Sequence, residues 1–424
     1  MFKNHPTGLR TLFFTEMWER FGFYIMIAVF VLYMDEHMLW DDSQKGTIYG
    51  LFLGAVYFIP IAGGWIADRL LGYAKTIKIG ALVMAIGYMT LAFSSNERVP
   101  VFFLALALIA VGNGLFKANI SVLVGNLYEK ENELKDNAYN IFYMGINIGA
   151  AIAPLAATAF SLIFHDYRYT FGVASLGMIV SIFIFHLGRN TYRSADNTRA
   201  SRLENIAPTA DIDKREERQR LVSLGILFAI AIFFWMAFYQ NGFALTLFAQ
   251  RSTITLDYLR PETYQFFNPF FILVLTPVLV YLFSVMRRRG KEPSSPAKIA
   301  YGMFICALAW VIMAIASIKG GNQDMTIMSP AWLISTYFVI TISELLVSPM
   351  GLSFVSKVAP KRMRGLMMGF WFGATAIGSY LSGFFGKYYS ILEHHQYFIY
   401  LTAALILSGF LVVIFLKKLK RFSK

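Results

Sequence analysis

The chain has 424 residues, of which 57% are apolar or aromatic, 17% aromatic and only 15% charged, with a net charge of +13 and a single cysteine, Cys306. Soluble domains typically carry about 25% charged residues, so this composition excludes a cytosolic enzyme or nucleic-acid binder and implies an integral membrane protein. One cysteine likewise excludes a disulfide framework and a cysteine-held metal or haem.

A membrane-spanning helix needs about 20 predominantly apolar residues. Twelve stretches meet this, at roughly 9–34, 46–68, 75–94, 99–125, 138–163, 168–188, 221–249, 264–286, 297–318, 329–356, 362–386 and 396–417. The first begins so near the N-terminus that no cleavable leader is expected. Between the spans two sets of connections alternate. The set containing both termini carries 29 Lys and Arg residues; the other carries 7, namely Lys45, Arg98, Arg168, Arg251, Arg260, Lys319 and Lys387. The positive-inside rule then places both termini in the cytoplasm. A basic patch for nucleic acid would not alternate in this way. Runs such as Arg287-Arg288-Arg289 suit anionic lipid heads.

One connection is long. Residues 189–220 are polar, charge-mixed and without apolar periodicity, and read as a cytoplasmic linker. The expected organisation is an N-terminal six-helix bundle at 1–188, this linker at 189–220, and a C-terminal six-helix bundle at 221–424. That is the major facilitator layout, in which the substrate site lies midway between the halves. Several spans contain helix-disturbing residues, among them Pro60, Pro154, Pro269, Pro277, Pro349 and the pair Gly63-Gly64. Such residues are tolerated in membranes where neighbours satisfy the freed backbone groups.

Five charged side chains lie well inside apolar spans: Glu16, Glu19 and Arg20 in the first, Lys117 in the fourth and Glu344 in the tenth. Each would cost roughly 2.5–3.5 kcal/mol facing lipid at a helix centre, so they must face a polar cavity or one another. Residues 16, 19 and 20 share one helix face. Glu16 and Arg20 are expected to pair at i, i+4, leaving Glu19 for a proton or a second cation. Carboxyls whose proton affinity moves as cations approach or leave are what proton coupling requires. Lys117 and Glu344 belong to opposite halves, and cations in one half with a carboxylate in the other suit a zwitterion.

These residues sit in recognisable motifs. Glu16-Met17-Trp18-Glu19-Arg20-Phe21-Gly22-Phe23-Tyr24 resembles the ExxERFxYY signature of the proton-dependent oligopeptide transporter family, a branch of the major facilitator superfamily. Val56-Tyr57, Gly63-Gly64-Trp65-Ile66-Ala67-Asp68-Arg69, Phe116-Lys117-Ala118-Asn119 and Asn140-Ile141-Phe142-Tyr143 follow in family order, then Ile146-Asn147-Ile148-Gly149. The second half adds Phe267-Asn268-Pro269, Pro293-Ser294-Ser295-Pro296, Ser343-Glu344-Leu345-Leu346-Val347-Ser348-Pro349 and Met367-Met368-Gly369-Phe370-Trp371. The resemblance covers essentially all the spans.

It implies an all-α major facilitator fold of 12 transmembrane helices, and import of di- and tripeptides across the bacterial inner membrane, driven by protons through alternating access. It implies no cofactor besides the coupling proton, no nucleic-acid partner, and a monomer in the lipid bilayer. It also implies roles for named residues. Arg20 and Lys117 would meet the peptide carboxylate; Glu344, Asn268 and Asn147 would hold its amino end and backbone. Tyr24, Tyr57, Trp235, Ser348 and Trp371 would complete the substrate site. Glu16 and Glu19, with Arg20, Lys117 and Glu344, would carry proton coupling. Asp68 and Arg69 would form a cytoplasmic gate, or Asp68 would simply cap a helix end.

Four departures from the family pattern stand out. Phe23 replaces a tyrosine, Ala118 a proline, and the seventh span reads Phe238-Tyr239-Gln240, without the acidic residue that would pair with Lys117. Lys117 is therefore expected to pair with Glu16 or Glu19. The fourth departure is length: 189–220 is too short for the two extra helices that many bacterial members carry between the sixth and seventh spans.

Within the same fold, a symporter or antiporter for another small anionic or amphoteric solute is the alternative. An intramembrane enzyme is disfavoured, because His5, His37, His165, His186, His394 and His395 all lie at or near span ends and none has metal-ligand spacing.

Overall fold

The computed structural model describes residues 2–128, 134–196, 214–360, 363–416 and 419. Among these the regular structure is helical, and twelve long helices, labelled α1 to α12, follow one another. They are α1 Thr7–Glu36, α2 Asp42–Leu71, α3 Tyr73–Ala92, α4 Val99–Asn126, α5 Lys135–Phe164 and α6 Tyr167–Leu187. The second set is α7 Lys214–Arg251, α8 Phe267–Arg288, α9 Ser295–Lys319, α10 Pro330–Val358, α11 Arg364–Gly386 and α12 His394–Ile414. All but α11 are long and apolar enough to cross a membrane; in α11 six of 23 residues are glycine, which dilutes its apolarity. The all-α, twelve-helix expectation therefore holds.

Two helices are composite. α2 is α-helical over Asp42–Phe58 and again over Pro60–Ile66, then ends in a π turn, Ala67–Leu71. Proline cannot donate to the ladder, which accounts for the break at its position. π turns frequently mark functional sites. Gly72 closes α2 at φ 76°, a left-handed conformation that favours glycine. α7 runs Lys214–Phe238, passes through a 3-10 turn at Tyr239–Gly242 and resumes at Ala244–Arg251.

The chain divides into two compact units. Unit 1 is Met1–Leu39 with Ala55–Ala207; unit 2 is Trp40–Gly54 with Pro208–Lys424. In unit 1, α1 is the core helix, with Leu12, Ile25, Met26 and Val29 at zero exposure. Its neighbours approach through small residues: a Cβ on Gly149 would lie 2.2 Å from the Met17 carbonyl oxygen, so no other residue fits without moving backbone. In unit 2 the first half of α2 packs on α11 in the same way, Gly46 and Gly50 against Gly383.

The segment expected to be a linker behaves differently at its ends. Arg189–Tyr192 is a turn of helix and Arg193–Ala195 a 3-10 turn, both docked on unit 1. Tyr192 stacks on Phe185 at 4.5 Å and donates to its carbonyl, Asn126 donates to Ala195 O at 2.8 Å, and Ala74 N donates to Asp196 Oδ1 at 3.0 Å. At the other end, residues 214–220 belong to α7 despite their charge, because Glu216 and Arg220 pair at i, i+4 over 2.7 Å. Residues 197–213 lie outside the described set.

Candidate functional site

In unit 1, α1 brings Glu16, Glu19 and Arg20 onto one buried face, at 1%, 0% and 2% exposure. Arg20 donates to both oxygens of Glu19, at 2.5 and 2.6 Å, whereas Glu16 Oε1 stands 3.4 Å from Arg20 Nε. The expected i, i+4 pair of Glu16 and Arg20 is thus present, but Glu19, expected to stay available, takes the guanidinium's hydrogen bonds and leaves Glu16 the more loosely held carboxylate. The i, i+4 spacing does bring Glu16 close, but the adjacent Glu19 side chain presents its carboxylate fork in the guanidinium plane, the strongest geometry available to arginine. Glu16 Oε2 is sealed from solvent with no hydrogen-bond partner among the described residues. The guanidinium carbon lies 5.0 Å from the centroid of the Phe23 ring, so the tyrosine-to-phenylalanine departure leaves an aromatic platform without a hydroxyl.

Lys117 lies on α4. Its ammonium sits 4.5 Å from the centroid of the Tyr57 ring, on α2, and forms no salt bridge among the described residues. Its expected pairing with Glu16 or Glu19 is therefore corrected. Those carboxylates act on it only at longer range, and an aromatic face takes the place of a direct counter-ion. Tyr24, half-buried, packs edge-on against Phe23 at 5.6 Å. Asn147 is buried and donates to Tyr143 O at 2.9 Å, a bond within its own helix.

Asp68 and Arg69 ride on the π turn of α2, and Asp68 accepts a 2.5 Å hydrogen bond from Tyr73 Oη. The helix-end cap considered for Asp68 is instead made by Asp196, on the N–H of Ala74 in the first turn of α3.

In unit 2, Glu344 on α10 receives Asn268 Nδ2 from α8 at 2.9 Å, and the same amide reaches Thr341 Oγ1 at 3.1 Å. Ser348 lies one turn beyond Glu344 and on its helix face. Trp235 stacks on Tyr239 at 5.6 Å and packs edge-on against Phe234 and Phe238, its indole N–H without a partner among the described residues. Trp371 is buried with its ring against Gly351, where a Cβ would lie 2.0 Å from Cη2. Gln240 is fully committed inside unit 2. It donates to Ser382 O at 2.8 Å and accepts from Tyr397 Oη at 2.7 Å.

Sequence reasoning missed one cluster. Asp42, at the first turn of α2 and 6% exposed, takes both guanidinium nitrogens of Arg251 at 2.9 Å, the Lys45 ammonium at 2.6 Å and the hydroxyl of Ser390. The i, i+3 relation of Asp42 and Lys45 was visible in the sequence; the partner 209 residues away was not. No set of three or more His, Cys, Asp or Glu residues gathers as a metal site among the described residues.

The chain is similar to known proteins along most of its length. The family model described as "POT family" matches residues 74–207 and 195–394. A peptide transporter of Yersinia enterocolitica, YePEPT, is 30% identical over 91% of this chain and 88% of its own. Dipeptide and tripeptide permease A of Escherichia coli K12 is 29% identical over 89% of this chain and 84% of its own. Among solved structures, a mutant peptide transporter POT in complex with alafosfalin superposes with a TM-score of 0.89 at 27% identity, covering 100% of this chain and 97% of that one. A POT family transporter in complex with 5-aminolevulinic acid superposes at 0.88 and 26% identity, covering 99% and 98%. Family model, relatives along nearly the whole chain and solved structures agree: this chain is a multi-pass membrane transporter and belongs to the POT family.

Proposed function

We propose that the protein imports di- and tripeptides across the bacterial inner membrane, driven by protons through alternating access, with both termini in the cytoplasm and a monomer as the working unit. The observation that carries this reading is the division of charge. Unit 1 supplies the cations Arg20 and Lys117, suited to a peptide carboxylate, and unit 2 supplies Glu344, oriented by Asn268, suited to a peptide ammonium. The bundles 1–188 and 221–424 are the proposed moving halves. Asn147, Ser348, Tyr24, Tyr57, Trp235 and Trp371 complete the proposed substrate site, and Asp68 with Arg69 the cytoplasmic gate. Proton coupling is assigned to Glu16, Glu19, Arg20, Lys117 and Glu344. With Glu19 held by Arg20, Glu16 is the carboxyl freer to gain and lose a proton.

Relatives named for peptides support the substrate class. The 5-aminolevulinic acid complex favours a second reading, a small amphoteric solute that also carries one ammonium and one carboxylate. The test is uptake of labelled di-alanine into liposomes holding the purified protein, with and without an inward proton gradient. Accumulation that a protonophore abolishes is expected. If N-acetylated, C-amidated dipeptides bind as tightly as free ones, recognition of both charged ends is refuted.

A further inference from the structure

A carboxamide carries its donor on one branch and its acceptor on the other. Its last torsion is broad and roughly two-fold, so rotamer preference does not decide which branch faces a partner. Asn268, in the first turn of α8, is such a group. Its Nδ2 donates to Glu344 Oε2 at 2.9 Å and to Thr341 Oγ1 at 3.1 Å, so both amide hydrogens are spent on α10. Glu344 belongs to the proposed substrate site. Thr341 is at zero exposure and cannot itself meet a solute.

Two ties fix α10 about its axis. Tyr337 Oη donates to Asn241 O at 2.9 Å, in the 3-10 turn of α7, and Ser343 Oγ donates to Gly302 O at 2.7 Å, on α9. Residues 341 and 344, three apart and so on one helix face, are thereby held against Asn268. Thr341 donates its one proton to Tyr337 O at 2.7 Å, a local bond that threonine makes inside helices, and has only lone pairs left for Asn268.

The consequence is directional. A flipped carboxamide would set Asn268 Oδ1 against the Thr341 lone pairs and the Glu344 carboxylate, acceptor against acceptor with no proton between them. With Nδ2 held on α10, Oδ1 lies on the opposite branch, turned off that helix, and Asn268 is only partly buried. A single bond to Glu344 would leave the carboxamide free to swing about it. The second bond, to Thr341, fixes its plane.

We propose that Thr341 is a positioning residue for substrate selection: by locking the Asn268 carboxamide, it makes this part of unit 2 present acceptors only, Asn268 Oδ1 and the Glu344 carboxylate. Such a set takes a primary ammonium, with three donors, over an acylated nitrogen, with one, and repels a carboxylate. The selection rests on the proposed transport of peptides; the lock itself does not.

The lock is read from melting of the purified protein. Thr341→Val keeps the side-chain shape and leaves one Nδ2 hydrogen without its acceptor, so the melting temperature is expected to fall. In an Asn268→Ala background, where nothing remains to be held, the same change is expected to leave it level or raise it. Selection is read by displacing labelled di-alanine with di-alanine or with propionyl-alanine, the same molecule carrying hydrogen in place of the ammonium. Thr341→Val is expected to weaken di-alanine about tenfold and propionyl-alanine less than about twofold, and Thr341→Ser, which keeps the acceptor, to regain most of the loss. Equal melting losses in the two backgrounds overturn the lock. Equal weakening of both ligands, which a general loosening of the fold would give, overturns the selective role, and so does an unchanged affinity for di-alanine. Failure of the parent protein to bind di-alanine would refute the proposed function and the selection with it, and the melting cycle would still decide the lock.

Discussion

Replacing Asp42 with asparagine deletes one charge from a cluster in which two cations depend on it. The carboxylate is 6% exposed and holds Arg251 through two 2.9 Å bonds and Lys45 through one of 2.6 Å. Lys45 has a side-chain exposure of 1% and Arg251 of 20%, so the first keeps its charge inside the protein with one counter-charge fewer while the second turns partly to solvent. Removing one partner of a buried pair costs about 3–5 kcal/mol, and the partial exposure of Arg251 argues for the lower end, about 3 kcal/mol. At roughly 2–4 °C per kcal/mol for a large domain, the melting temperature should fall by about 6–12 °C. The assay is tryptophan fluorescence of detergent-solubilised protein during heating, with Ser390→Ala as the control that loses a single hydrogen bond, worth about 1 kcal/mol. Arg251→Leu alone and combined with Asp42→Asn completes a double-mutant cycle. If the two losses simply add, the pair is not coupled and the reasoning fails.

Other consequences are as direct. Glu344→Gln and Lys117→Ala should each abolish gradient-driven peptide uptake while the purified protein still melts cooperatively; normal uptake in either variant removes that residue from the mechanism. Tyr57→Phe keeps the ring under the Lys117 ammonium and should preserve peptide affinity, whereas Tyr57→Leu forfeits an interaction worth about 0.5–2 kcal/mol and should weaken it; equal behaviour of the two variants would refute the cation–π role. Glu292, in the loop after α8, is held down to about 2, first by hydrogen bonds from Arg287 and then by Lys298. Its folded value lies below the ordinary 4.5, so its contribution to stability is complete above that pH and disappears as pH falls toward 2. The melting difference between the parent protein and Glu292→Gln should therefore shrink across that interval; a constant difference excludes the linkage.

Much of the fold was legible because membrane spans declare themselves by apolar length, and the charged residues within them declare themselves by cost. Glu16, Glu19, Arg20, Lys117 and Glu344 could be named on that ground alone. Their pairing could be named only in part. Helical spacing brings Glu16 to Arg20, as expected, but the hydrogen bonds go to Glu19 through side-chain rotamers that no spacing encodes. Lys117 shows a related limit: a search for counter-ions overlooks an aromatic ring as partner. The cluster around Asp42 needs Arg251 and Ser390, each brought to it by packing between distant segments. The polar segment after α6 looked like linker throughout, because docking through Tyr192, Ala195 and Asp196 relies on isolated contacts without periodicity.

The docking of Asp196 sets where this protein can be cut and rejoined. A chimera with a related transporter joined at residue 188, where the apolar pattern ends, would remove the carboxylate that accepts the Ala74 N–H and the Ala195 carbonyl that accepts Asn126. The foreign segment would then have to cap α3 in its place, next to the π turn that carries Asp68 and Arg69. A junction placed after Asp196 keeps those bonds with the helices they serve, so the interchangeable module of this transporter extends beyond its last membrane span.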